Sequence, residues 1–237
     1  MIDCAIVTSR DDEWRTQTII ATSADEIRSA AGTKYTINNS VMAVKEALES
    51  GYQKIGFVGT PCQIQGLRKV KLLDEPYQFG QDKIALLVGL FCMENFDYDA
   101  LMNGLVKGKF GLEPKDVSRF EIKKGMFRVI DKAGGAHEVK IEETDPYTFP
   151  GCGPCFDFAS ELADISVGSV GSADGWSTVL TRTDVGEKLY GDALAAGLIA
   201  EKAVSEKGLA LAKRLASGKV MRFLLKSKEM KVGGIIR

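Results

Sequence analysis

Short apolar runs alternate along the chain with longer segments whose apolar residues recur every three or four positions. The runs predict buried β-strands, and the helical spacing predicts amphipathic α-helices packed against them. In residues 40–50, for example, Val41, Val44, Ala47 and Leu48 share one helical face. The predicted strands cover residues 3–8, 54–59, 83–92, 164–168, 177–183 and 199–204. The predicted helices cover residues 24–31, 40–50, 98–106, 184–196 and 206–225, and another begins at residue 61.

Two of the predicted helices start with specific local signals. Ser23 and Glu26 have the spacing of a capping box, and Thr60 followed by Pro61 is typical of an N-cap and a first helical residue. Because a buried strand precedes Thr60, the exposed N–H groups of that helix would point toward the end of the strand. Such an arrangement favours the binding of an anion.

The pattern changes at about residue 113, where three short strands are predicted at residues 117–123, 126–131 and 138–142, with glycine turns between them. The sequence therefore predicts an α/β fold, with a mixed sheet flanked by helices and a small antiparallel β insert. In this prediction, residues 1–112 and 143–237 form one domain, and residues 113–142 form the insert within it.

Composition excludes several classes of protein. The chain has 237 residues, 45% apolar and 27% charged, with a net charge of −1, which is ordinary for a globular protein and gives no general attraction to nucleic acid. The longest apolar run, residues 84–93, is too short to cross a bilayer, and no export signal is visible. Five cysteines, an odd number, favour a reducing compartment, so we predict a cytoplasmic protein.

Four of the cysteines are predicted at turns or strand ends. Cys62 lies at a strand-to-helix turn, Cys92 ends a core strand, and Cys152 and Cys155 form a C-x-x-C pair on a loop. Since carboxyl ends of strands share one edge of an α/β sheet, the four thiolates fit either an iron–sulfur cluster or a tetrahedral zinc site. The simpler alternative is that Cys62 and Cys92 are small buried side chains, as we expect for Cys4.

Cys152-Gly-Pro-Cys155 also has the spelling of a thioredoxin active site. Its position argues against that function, because the motif lies two-thirds along the chain and no proline follows Pro154. The only histidine, His137, is predicted in a solvated hairpin turn, where it is poorly placed for acid–base catalysis. Chemistry supplied by cofactors is therefore favoured.

A glycine-rich segment follows the C-x-x-C pair. Gly168-Ser-Val-Gly171 is typical either of a tight turn at a strand end or of a loop that lets backbone N–H groups approach a phosphate. Trp176, Ser177, Thr178 and Arg182 follow closely and favour a surface for an aromatic, phosphorylated ligand.

Several long motifs resemble one family. They are AGTKYT at residues 31–36, TPCQIQGLRK at 60–69, FCMENF at 91–96, CGPCFDF at 152–158, and the run from residue 163 to 183. Together they identify residues 1 to about 215 as similar to the coenzyme F420-reducing hydrogenase β-subunit family. Close cousins serve F420-dependent formate dehydrogenase and form the input subunit of F420H2 dehydrogenase. The family usually has a further N-terminal segment, so we expect either a misplaced start or a partial chain.

The resemblance implies an FAD, one [4Fe–4S] cluster and a site for the substrate coenzyme F420. It places the cluster on Cys62, Cys92, Cys152 and Cys155. On the same basis, loops rich in hydroxyls, amides and glycines are expected to hold FAD, and Arg68 and Lys69 are expected to attract the anionic tail of F420. The predicted FAD contacts are Thr33, Lys34, Tyr35, Thr60, Pro61, Gln63, Ser169, Gly171, Ser172, Gly175, Trp176 and Arg182.

The implied partners are the catalytic subunit and the small electron-transfer subunit of a hydrogenase, and the implied role is that of its β subunit. Hydride would pass between F420 and FAD, and single electrons between FAD and the cluster. The β subunit of an F420-dependent formate dehydrogenase remains an alternative, as does a zinc-stabilised binding module of another functional class.

Overall fold

The structure is a computed structural model, which describes residues 2–73 and 80–229, with side chains described to residue 226. The chain divides into two compact units, each made of two separated segments. Unit 1 comprises Met1–Ile55 and Glu94–Cys152, and unit 2 comprises Gly56–Met93 and Gly153–Arg237. Within the described ranges, no helix combines the length and the apolar character that crossing a membrane requires.

The first segment of unit 1 contains an antiparallel strand pair and two short helices. Strands β1 (Cys4–Arg10) and β2 (Thr16–Ala21) pair from Ala5 opposite Ala21 to Arg10 opposite Thr16. Helix α1 (Ala24–Ser29) begins at the predicted capping box. Helix α2 (Met42–Glu49) buries Val44 and Ala47 of the apolar face predicted for residues 40–50, and Val41 and Leu48 are partly buried.

The second segment of unit 1 forms the predicted small sheet. Strands β5 (Val117–Lys123), β6 (Met126–Asp131) and β7 (Ala136–Lys140) are antiparallel neighbours in that order. A π-helix at Ala100–Lys107 packs beside them and occupies most of the predicted helix 98–106. The core of this unit comprises Trp14, Phe96, Leu101, Met102, Leu105, Val106, Val117, Phe120, Phe127, Val129 and Val139.

Unit 2 contains a mixed sheet with helices. Its strands are β3 (Ile55–Gly59), β4 (Ile84–Leu90), β8 (Ile165–Gly168) and β9 (Thr178–Thr181), adjacent in the order β3-β4-β8-β9. β4 and β8 are parallel, and β8 and β9 are antiparallel. The helices are α3 (Pro61–Lys71), α4 (Asp184–Ala195) and α5 (Glu206–Glu229). The predicted fold class, a mixed sheet with helices and a small antiparallel insert, is confirmed, whereas the predicted domain boundaries stay a prediction.

The structure corrects three local predictions. β2 was not predicted, and the predicted strand at residues 199–204 is wrong because those residues have no strand pairing and Ile199 and Val204 are about 40% exposed. His137 is not in a turn. It lies on β7, its Nε2 is 2.9 Å from Asp131 Oδ2, and its ring is beside Phe110. The hydrogen bond from His137 is the main reason why the pKa of Asp131 is lowered.

Two glycines of α4 give opposite expectations for the same substitution. A Cβ added to Gly186 would lie 2.0 Å from the backbone oxygen of Asp164, whereas a Cβ added to Gly191 meets nothing within 4 Å. We expect Gly186→Ala to lower the free energy of unfolding by about 1–3 kcal/mol through overpacking against backbone. We expect Gly191→Ala to raise it by roughly 0.5–1 kcal/mol, because alanine favours the helix. Denaturant titration of the two variants measures both effects, and equal signs would contradict the packing described.

Candidate functional site

Cys62 lies in the first turn of α3, directly after β3. The helix starts there because Thr60 and Gln63 form a capping box and Pro61 occupies the first turn, as predicted. The Thr60 Oγ1 atom is 3.3 Å from Cys62 Sγ, and Cys62 is exposed. The thiol is therefore accessible at the end of a strand and beside the positive end of a helix dipole.

Cys92 lies two residues beyond β4, the neighbour of β3 in the sheet. The Phe91 amide donates to the Val167 carbonyl at 2.9 Å, which extends the contact of β4 with β8 past the end of the strand. The Cys92 amide then donates to the carbonyl of Phe158, also at 2.9 Å. These bonds fix the Cys92 segment against the loop that follows Cys155.

The loop from Cys155 to Phe158 is held by a buried carboxylate. Asp157 is 1% exposed, and its side chain accepts hydrogen bonds from Gln65 Nε2 at 3.2 Å and from the Glu161 amide. Gln65 lies on α3, one turn after Cys62. Hydrogen bonds within unit 2 thus join the three segments that carry Cys62, Cys92 and Cys155.

Helix α5 contacts two of these segments through Lys219, which the sequence reasoning did not single out. Lys219 is 1% exposed, and its Nζ donates to the carbonyls of Cys92 at 2.6 Å and Asp157 at 2.8 Å. Five lysines lie in residues 206–229, and nothing in the sequence pattern distinguishes this one. Only its position after folding shows that it joins the two cysteine-bearing loops.

Cys152 ends the short helix Pro150–Cys152 in unit 1. The Asn95 amide donates to Cys152 Sγ at 3.3 Å, and the sulfur lies 3.7 Å from the Asn95 carbonyl oxygen. Backbone N–H donors to sulfur are one of the means by which proteins tune iron–sulfur clusters.

All five cysteines lie in the described part of the chain, and none forms a disulfide. Cys4 is 2% exposed, as predicted for a core residue, and burial is the main cause that raises the pKa of its thiol. Across residues 2–73 and 80–229, no group of three or more histidine, cysteine, aspartate or glutamate side chains is arranged to hold a metal ion. Thiols on loops and strand ends are nevertheless the type of ligand that an iron–sulfur cluster requires.

In unit 2, the loop predicted to contact FAD lies between β8 and β9. Gly171 and Gly175 have φ angles of +95° and +84°, which favour glycine, and Ser169 and Trp176 are exposed. Ser172 instead bonds to Thr178 Oγ1 at 2.7 Å. The loop therefore leaves the Ser169 hydroxyl and the Trp176 ring at the surface.

Two cationic residues predicted to contact FAD have partners within the protein. Arg182 Nη1 donates to Ser166 Oγ at 2.8 Å, its Nη2 donates to the Ala159 carbonyl, and burial lowers its pKa. In unit 1, Lys34 donates to the carbonyls at residues 30 and 31, and desolvation, followed by the nearby Arg10, lowers its pKa. Their assignment to FAD stays a prediction. In the structure, both side chains donate hydrogen bonds to backbone carbonyls of the protein, and Arg182 also donates to the Ser166 hydroxyl.

The remaining unit 1 residues of this set differ in exposure. Thr33 is exposed, whereas the ring of Tyr35 packs against Phe127 with the ring centres 5.7 Å apart. Tyr35 therefore contributes to the core of unit 1, and Thr33 offers a hydroxyl at its surface.

The two residues predicted to attract the F420 tail are also unequal. Arg68 Nη2 forms an ion pair with Asp164 at 3.0 Å, and its Nε donates to the Leu162 carbonyl. Lys69, the next residue, is exposed. Lys71 is turned inward, where its ammonium donates to the carbonyl of Ile84. Only Lys69 of these three presents its charge at the surface.

Sequence and structure comparisons give one family, coenzyme F420 hydrogenase/dehydrogenase, beta subunit. Residues 1–45 match the N-terminal part of this family, and residues 52–207 match its C-terminal part. The chain is similar to the coenzyme F420 hydrogenase subunit beta of Methanothermobacter thermautotrophicus, with 40% identity over 92% of this chain and 79% of the relative. The corresponding protein of Methanosarcina barkeri is 39% identical over 99% of this chain and 81% of that protein.

A solved structure agrees. A chain from the F420-reducing [NiFe] hydrogenase complex of Methanosarcina barkeri aligns with a TM-score of 0.92 and 39% identity, and the match covers 99% of this chain and 81% of that one. The resemblance found in the motifs is thereby confirmed. The chain belongs to the coenzyme F420 hydrogenase/dehydrogenase beta subunit family.

Proposed function

We propose that this protein is the β subunit of an F420-reducing hydrogenase, an oxidoreductase subunit that exchanges electrons between coenzyme F420 and partner subunits. The observation that carries the proposal is the hydrogen-bonded junction, within unit 2, of the segments bearing Cys62, Cys92 and Cys155, in a chain about 40% identical to hydrogenase β subunits. The zinc-stabilised module is disfavoured, because the relatives are redox proteins by name.

Cys62, Cys92, Cys152 and Cys155 would hold a [4Fe–4S] cluster. Each side chain would supply a thiolate. Thr60 and Asn95 contact the sulfur atoms of Cys62 and Cys152, and the Phe158 carbonyl accepts a hydrogen bond from the backbone amide of Cys92. When bound, FAD supplies an exchange between a two-electron hydride and single electrons, and the cluster supplies one-electron transfer.

The residues proposed to hold FAD are those predicted from the motifs. Those that are accessible at the surface are the stronger candidates for direct contact with the ligand. The start of α3 at Thr60 presents the positive end of a helix dipole to a pyrophosphate, and Gly175 leaves open space for close approach of a ligand. Trp176, 40% exposed, offers an aromatic face to a planar ring. The chain's only histidine, His137 on β7, is bound to Asp131 of β6 in unit 1, and the residues proposed here would bind and orient FAD.

For the polyanionic tail of F420, Lys69 is the stronger candidate because its ammonium is at the surface, whereas Arg68 is paired with Asp164. We expect Lys69→Glu to raise the KM for F420 by up to about fivefold, as for the loss of an exposed charge pair worth ~0.2–1 kcal/mol. The KM should also become less sensitive to salt. Lys132→Glu, which makes the same charge change at an exposed position after β6, is the control and should leave the KM unchanged.

The substrate is tested by anaerobic reduction of protein-bound FAD. Reduced F420 should bleach the flavin absorbance, and NADPH should not. Bleaching by NADPH alone would overturn the assignment to F420. If reduced F420 bleaches the flavin but Lys69→Glu leaves the KM for F420 unchanged, only the proposed site for the F420 tail is contradicted.

The proposed partners are the catalytic and the small electron-transfer subunits of a hydrogenase, since the solved relative is a chain of such a complex. The family description also covers dehydrogenases, so a formate dehydrogenase partner is the competing assignment. Affinity purification of the chain from its native cells, followed by assay of the co-purified complex with H2 and with formate, distinguishes the two. The proposed cytoplasmic location rests on the odd number of cysteines, five, which favours a reducing compartment.

A further inference from the structure

Among the described residues, Lys219 is a buried cation without an acidic partner. Its side chain is 1% exposed, and its hydrogen bonds go to two backbone carbonyls, those of Cys92 and Asp157. Among the side chains described in residues 2–73 and 80–226, no carboxylate forms an ion pair with it. Removing an ammonium from water is costly unless an opposite charge compensates, so a nearby anion is expected in the working protein.

The neighbouring residues of α5 contact the same two loops. Arg222, one turn after Lys219, donates to the Met93 carbonyl at 3.1 Å. The ring of Phe223 is 5.4 Å from that of Phe156. Since residues at i, i+3 and i+4 share one helical face, this face of α5 is seated on the loops that follow Cys92 and Cys155.

The N-terminal end of α5 also packs closely against another loop of unit 2. A Cβ added to Gly208 would lie 2.0 Å from the Gly171 carbonyl oxygen, so the first turn of the helix touches the backbone of the loop after β8. Most of α5 lies beyond residue 207, where the match to the family ends. Lys219, Arg222 and Phe223, which contact the loops after Cys92 and Cys155, therefore lie outside that match.

We propose that Lys219 is a positioning residue that fixes the loops of Cys92 and Cys155 and that its charge raises the reduction potential of the cluster bound there. The proposal rests on the cluster assignment made above. A cluster held by four thiolates is anionic, and it gains one further negative charge when a reductant such as dithionite transfers an electron to it. A buried cation nearby stabilises the reduced form more than the oxidised form, and low polarity of the site strengthens the effect.

Three substitutions separate the two roles of Lys219. Lys219→Arg keeps the charge and the donors, Lys219→Gln keeps a donor but removes the charge, and Lys219→Met removes both. Lys213→Gln, an exposed lysine on the same helix, is the control for a change in net charge alone. Each variant is compared in the full chain, purified anaerobically, by iron content and by the midpoint potential from an EPR-monitored dithionite titration.

We expect Lys219→Gln to retain iron but to show a more negative midpoint potential, with Lys219→Arg and Lys213→Gln close to the unsubstituted protein. Lys219→Met should lose iron as well. If Lys219→Met does not fold, the Gln and Arg variants still decide the question. An iron-replete Lys219→Gln variant with an unchanged potential would overturn the charge role, and full iron in Lys219→Met would overturn the positioning role. Absence of iron from the unsubstituted protein would instead contradict the cluster assignment itself.

Discussion

Replacing any one of Cys62, Cys92, Cys152 or Cys155 by alanine is expected to reduce the iron content from about four atoms per chain to near zero. Each cysteine is proposed to supply one of four thiolate ligands, and a cubane cluster with one ligand missing is readily lost. Cys62 is exposed and the other three are partly exposed, so alanine at these positions removes little buried surface. Iron analysis and the visible absorbance of anaerobically purified protein measure the result.

Cys4→Ala is the matched control, because Cys4 is buried among apolar neighbours on β1 and is not proposed as a ligand. This variant should keep its iron and lose only a small amount of stability. A protein that retains about four irons after loss of one of the four proposed ligands would exclude that cysteine from the cluster. Stoichiometric zinc without iron would favour a structural zinc site instead.

Arg68→Met is expected to lower the free energy of unfolding by about 3 kcal/mol, near the lower end of the range for breaking a buried ion pair. The side chains of Arg68 and Asp164 are 24% and 8% exposed. Without the guanidinium, the Asp164 carboxylate would keep only the hydroxyl of Thr183 and the amide of Leu87 as donors. Those two donors hold the loss below that of an isolated buried charge.

Lys69→Met, at the next position along α3, is the control and should change the unfolding free energy by less than about 0.5 kcal/mol. Combining Arg68→Met with Asp164→Asn should destabilise less than the sum of the two single changes, because the second removes the charge that the first leaves unpaired. Urea titration of the unsubstituted protein, Arg68→Met, Asp164→Asn and the double variant measures the coupling energy between the two side chains. An additive result would show that the ion pair contributes no stability of its own.

Elements with local signals were predictable from the sequence. The starts of α1 and α3 follow from Ser23 with Glu26 and from Thr60 with Pro61, because capping depends on residues within one helical turn. β5 and β6 have the predicted bounds, since glycine turns separate them. The third strand of that sheet, β7, begins two residues earlier than predicted.

Three features that depend on pairing with another strand were not predicted correctly from the sequence. β2 lacks a clean alternation of buried and exposed residues, and its strand conformation follows from its pairing with β1. Residues 199–204 include four apolar residues, yet no neighbouring strand in the described part of the chain pairs with them. His137 follows two glycines, but it meets Asp131 only because β6 and β7 pair.

The residues of the candidate site also differ in how far the sequence predicts their roles. The four cysteines stand out by residue type and spacing, but the partners of long cationic side chains are set by tertiary contacts. Arg68, Arg182 and Lys34 were predicted to meet ligands, and in the structure each bonds to a carboxylate, hydroxyl or carbonyl of the protein itself. Lys219 is the reverse case, because it has no distinguishing sequence signal and lies between two cysteine-bearing loops.

The interleaved order of the two units has a consequence for synthesis on the ribosome. Unit 1 is interrupted by residues 56–93, and within it the Trp14 indole N–H donates to the carbonyl of Val117, 103 residues later. Closing a contact over so long a separation slows folding, so the first 55 residues must wait for the small sheet to emerge. During that interval Trp14 and Tyr35 lack their later ring contacts with Phe120 and Phe127, and binding by a chaperone at this stage would protect the nascent chain from aggregation.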